Sequence, residues 1–80
     1  MPPRIVHLTL APLPGVHAVR AVFTAFAGVP GVRRAEVTLV GATVEHDGTV
    51  SRAMMDEALA LVGGTIVEWR EERGLPVIDG

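Results

Sequence analysis

The apolar residues of this chain change period along its length, from alternate spacing to helical spacing and back, and then through the same cycle again. Few folds accommodate that order in so short a chain. Ile5 to Leu10 sets Val6, Leu8 and Leu10 against Ile5, His7 and Thr9, the two-residue repeat of a strand. Ala11-Pro12-Leu13-Pro14-Gly15 ends it, because each proline lacks the N–H that a ladder needs. Val19, Val22, Phe23, Phe26 and Ala27 then recur at three- and four-residue spacing, which predicts an amphipathic helix from Val16 to the stop at Gly28, Pro30 and Gly31. Val32 to Val40 alternates once more, with Ala35, Val37 and Leu39 opposed to Arg34, Glu36 and Thr38. Gly41 leads into a shorter strand, Ala42 to His46, so the two read as a hairpin. Past the Asp47-Gly48 turn, Ser51 stands where an N-cap belongs, ahead of Met55, Ala58, Leu59 and Val62 at helical spacing. Gly63 and Gly64 close that helix, and Thr65 to Trp69 makes a fourth strand.

The order is therefore βαββαβ in 80 residues, enough for one core and too few for two. Each helix has one apolar stripe to bury, and a single sheet can cover both. The expected architecture is an α+β, ferredoxin-like sandwich: a four-stranded antiparallel sheet with two helices on one face. Residues 1–69 form this domain and residues 70–80 a C-terminal tail. The other sheet face is left open, and the alternation directs Ile5, His7, Val40, Val67 and Trp69 toward it. Leu75, Val77 and Ile78 make the tail apolar, so it is expected to fold over that face or dock on a protein partner or a second copy of the chain.

Composition narrows the chemistry. Hydrophobic residues are 49% of the chain and there is no cysteine, which removes disulfides, thiolate metal sites and thiol nucleophiles. A net charge of -2 gives no basic field for a phosphate backbone, so nucleic acid is not an expected partner. Uncharged runs fall short of the roughly 20 residues of a bilayer span and contain Pro12, Pro14 or Pro30, so neither membrane insertion nor a signal peptide is expected, and the chain reads as cytoplasmic. The carboxylates are scattered, and adjacent Asp56 and Glu57 do not face each other on a helix. Ser51 is explained by capping. With no nucleophile–base pair or acid–base dyad, no catalytic residue and no enzymatic activity are expected.

Several core positions carry a resemblance. Leu8 and Leu10, Val22 and Phe26, Pro30-Gly31-Val32 with Val37 and Leu39, and Ala58-Leu59 with Gly63 and Ile66 resemble the heavy-metal-associated (HMA) domain of copper chaperones and metal-transporting ATPases. The resemblance covers roughly Leu8 to Val67 and implies the same ferredoxin-like fold. Counting from Leu10 and from Val32 puts the family's metal loop, GMxCxxC, on Pro12-Leu13-Pro14-Gly15-Val16-His17-Ala18, so its two cysteines fall on Gly15 and Ala18. Neither residue offers a donor to a soft ion. Pro14-Gly15 also resembles, over the first loop and helix only, the ACT domain, a small-ligand sensor.

The expected function is a non-enzymatic, HMA-like accessory or interaction domain with a degenerate metal site, working within a metal-handling or multi-subunit system. The alternative is a carrier of Zn, Ni or Cu(II), borderline ions suited to imidazole, built on His17 with His7, His46 or a methionine of the Met54-Met55 pair. A small-ligand sensor is the third reading. Otherwise no cofactor is expected.

Overall fold

A computed structural model of the chain describes residues 4–72. Strand β1 (Arg4–Leu10), helix α1 (Val16–Ala27), strands β2 (Val32–Val37) and β3 (Gly41–His46), helix α2 (Arg52–Ala60) and strand β4 (Ile66–Glu72) follow in the expected order. The sheet runs β2-β3-β1-β4 and every pairing is antiparallel. This is the ferredoxin-like βαββαβ sandwich. Among the described residues no helix is long and apolar enough to cross a membrane.

The core lies between the sheet and the helices. Val6, Leu8 and Leu10 from β1 and Ala42 and Val44 from β3 meet Val22 and Phe26 of α1 and Met55 and Leu59 of α2, all of them buried. Those are the alternate strand positions and the helix stripe of the sequence, so burial of the pattern drives the assembly. Ser51 caps α2 as expected, its hydroxyl accepting the Met54 amide at 3.2 Å. Gly31 has a φ of 96° and packs on Asp47 and Thr49, where a Cβ would stand 2.6 Å from the Thr49 hydroxyl.

Three local features depart from the alternation. Strand β2 ends at Val37, not Val40. The Thr38 hydroxyl accepts the Gly41 amide at 3.1 Å and closes a turn, and the carbonyls of Leu39 and Val40 accept the amides of Leu13 and Leu10 at 2.8 and 2.9 Å. The backbone there serves the first loop, so Val40 lies on the tip of the hairpin and not on the open face. Strand β4 runs three residues past Trp69, with Glu72 opposite Ile5.

The third departure is a register shift. Leu10 pairs with Ile66, but Thr9 pairs with Glu68, leaving Val67 as an extra residue in a β-bulge. Every side chain beyond the bulge changes face. Trp69 therefore stands opposite Leu8 on the helix side, packed against the core, and Glu68 takes the open face beside Thr9. The expectation that Trp69 lies on the open face is corrected. A similar shift at Arg33 keeps both Val32 and Ala35 on the core side of β2.

Candidate functional site

The open face is polar. Arg34 and Glu36 from β2, Thr43 and Glu45 from β3, His7 and Thr9 from β1, and Glu68, Arg70 and Glu72 from β4 occupy it, with Ile5 the apolar exception. His7 is tied down there: its Nε2 lies 2.9 Å from a Glu72 carboxylate oxygen and its Nδ1 3.3 Å from the Thr43 hydroxyl.

The exposed apolar surface lies instead at one end of the sandwich. Three backbone hydrogen bonds draw three connections together: Leu10 and Leu13 amides donate to the carbonyls of Val40 and Leu39, and the Ala11 amide to the carbonyl of Thr65 at 3.0 Å. The segments so joined, residues 5–19, 37–44 and 58–67, contain no Asp, Glu, Lys or Arg. Val16, Leu39, Val40, Leu61, Val62 and Val67 are exposed on them, Leu61 at 88% and Val16 at 72% of their full area. Exposed apolar surface of that extent costs free energy in water unless something covers it. Val40 and Val67, read from the sequence as contact residues, are exposed at this end, and so are Val16, Leu39, Leu61 and Val62, which that reading does not include.

Gly15 and Ala18 belong to the same end. Gly15 precedes α1 with an extended backbone, φ 171°, and its missing Cβ would meet open space. Ala18 lies in the first turn of α1, and neither residue carries a donor atom.

The three histidines are kept apart. His17 is exposed on the first turn of α1 and, with Met54 and Glu57, lines a groove of about 920 Å³ between the two helices. His7 is on the open face and His46 on the opposite face, fully buried in the core. His46 Nδ1 accepts the Gly48 amide at 3.0 Å, and its Nε2 is buried without a partner. Of the two methionines at the start of α2, Met55 is fully buried in the core and Met54 packs against it. Among the described residues no group of three or more His, Asp or Glu side chains is placed to hold an ion. Leu75, Val77 and Ile78 lie outside the described residues.

The fold is that of the HMA domains. A copper-binding domain of HMA7, a P-type ATPase, superposes with a TM-score of 0.73 at 24% identity, over 88% of this chain and 99% of that one. The CopZ metallochaperone gives 0.72 at 26% identity, over 79% and 98%. The yeast copper transporter domain Ccc2A gives 0.71 at 20% identity, over 86% and 99%. No protein-family model and no curated protein sequence matches the chain.

Proposed function

We propose that the chain is a non-enzymatic, HMA-like accessory domain that acts by protein contact at its uncharged end, where a thiolate metal site is degenerate. The observation that carries this reading is the coincidence of two properties at one place. The end that holds Gly15 and Ala18, in the register of the family's two cysteines, exposes Val16, Leu39, Val40, Leu61 and Val67 on segments that contain no Asp, Glu, Lys or Arg. With thiolate donors absent and apolar area present, the chemistry available there is desolvation against another apolar protein surface. The likeness to CopZ and to copper-binding ATPase domains supports a place in metal handling, and the partner would then be another protein of such a system.

A second reading, a carrier using imidazole and thioether ligands, has one observation in its favour: His17 and Met54 line the same groove. Titration of the chain with Zn(II), Ni(II), Cu(II) and Cu(I), followed by calorimetry and native mass spectrometry, separates the two. The contact reading expects no stoichiometric ion. It also expects proteins captured from the native host by the wild-type chain to be lost with Val40→Asp/Val67→Asp. Stoichiometric binding that disappears in His17→Ala overturns it in favour of the carrier.

A further inference from the structure

The groove between α1 and α2 has a floor of small side chains, Ala21, Ala25 and Ala58, and a charged residue on each wall, Arg20 and Glu57. Neither charge is in an ion pair among the described residues. The chain supplies an apolar segment that needs a surface, Leu75-Pro76-Val77-Ile78, and the open sheet face, being charged, does not match it. The groove does.

Its position also fits. β4 ends at Glu72 opposite Ile5, which faces Glu45 near the end of β3, and β3 leads directly into α2. The described chain thus ends at the same end of the sheet as the one from which α2 starts, and Met54, in the first turn of α2, lines the groove. Val77 and Ile78, five and six residues beyond Glu72, reach at most about 17–18 Å and about 20–22 Å from it when the chain is extended. Passing from the sheet over one helix takes on the order of 10–15 Å, given packing separations of about 10 Å. Enough chain is left to lay Val77 and Ile78 on Ala25 and Ala58. Pro76 has no N–H to satisfy in an apolar groove, and the next charge along, Asp79, is opposite in sign to Arg20.

We propose that residues 75–79 turn back over the start of α2 and occupy the α1–α2 groove of their own chain, with Val77 and Ile78 on its alanine floor and Asp79 toward Arg20.

The absence of cysteine makes the test clean, because Gly80→Cys takes a single nitroxide label in the otherwise intact chain. Loss of the NMR signals of Ala21, Ala25 and Ala58 in the labelled chain, and their return in Val77→Asp/Ile78→Asp, is the expected result. Loss at Thr43 and Glu45 would place the tail on the open face and overturn the proposal, and so would no localised loss at all. A mixture of isotope-labelled chain without nitroxide and nitroxide-labelled chain without isotope should show no signal loss. Loss in that mixture would make the occupant a second copy, and the proposal would fail.

Discussion

Leu8 and Trp69 stand opposite each other across β1 and β4 with both side chains on the helix side of the sheet, although Trp69 shares its alternation with exposed Val67. The bulge between Thr9 and Leu10 of β1 and the facing stretch of β4 makes this pairing possible. Trp69→Ala is expected to lower the stability of the domain by about 2–4 kcal/mol, since it strips a large side chain from the edge of the core. Val67→Asp is expected to change it by less than about 0.5 kcal/mol. Urea unfolding followed by circular dichroism measures both, and equal losses would mean that the two residues share one face.

His46 gives a second stability test. Its ring is fully buried and one nitrogen has no partner, so part of what the imidazole contributes by packing is offset by an unmet polar group. His46→Ala should cost about 2–4 kcal/mol through the cavity it opens. His46→Leu keeps most of the volume and removes the orphaned nitrogen, so its cost should be less than half of that. Equal losses for Leu and Ala would show that the Gly48 hydrogen bond, which both variants lack, and not the packing holds this corner.

Asp47 introduces a pH dependence. The hydroxyl and then the amide of Thr49 donate to its carboxylate and hold it below the ordinary value of 3.8, with the charge of Arg33 adding in the same direction. A carboxylate whose pKa is lowered by folding stabilises the fold above its unfolded value and stops doing so as pH falls through the folded one. The contribution is therefore present at neutral pH and is lost below pH 3.8. Asp47→Asn should flatten the acid limb of the stability curve below about pH 4 while leaving its shape near pH 7 unchanged. Thermal unfolding between those pH values checks it, and a wild-type acid limb in the variant would assign the sensitivity elsewhere.

The register of the first loop can be tested by restoring donors. Position 15 has extended backbone and open space for a Cβ, and position 18 follows one helical turn later. Gly15→Cys/Ala18→Cys should fold and bind Cu(I) stoichiometrically in competition with a chelator, because a pair of thiolates is what a soft ion selects. Each single variant should bind far more weakly. Failure of the double variant to take up Cu(I) would show that the loop has diverged in shape as well as in sequence.

The element order and most of the core were legible because alternate and helical spacing are direct consequences of which face is buried. Val6, Leu8, Val22, Phe26, Met55 and Leu59 are where their periods put them. What alternation cannot register is an inserted residue, and both Arg33 and Val67 are such insertions. The burial of His46 had a readable signal, since it shares its parity with Ala42 and Val44, but its polar character hid it. The uncharged end was visible only in pieces. Three runs without charge, far apart in sequence, become one surface through the hydrogen bonds of Leu10, Leu13 and Ala11.

The extra residue in β4 gives the strand a spare part. Removing Val67 would leave Ile66 on Leu10, Glu68 on Thr9 and Trp69 on Leu8, so the ladder would close into regular pairing without turning any neighbour over. A one-residue deletion inside a strand ordinarily inverts everything on one side of it. Here the chain is free to lose or exchange a residue that is 60% exposed. Position 67 can therefore change, or be lost, while the pairing of its neighbours and the core stay as they are.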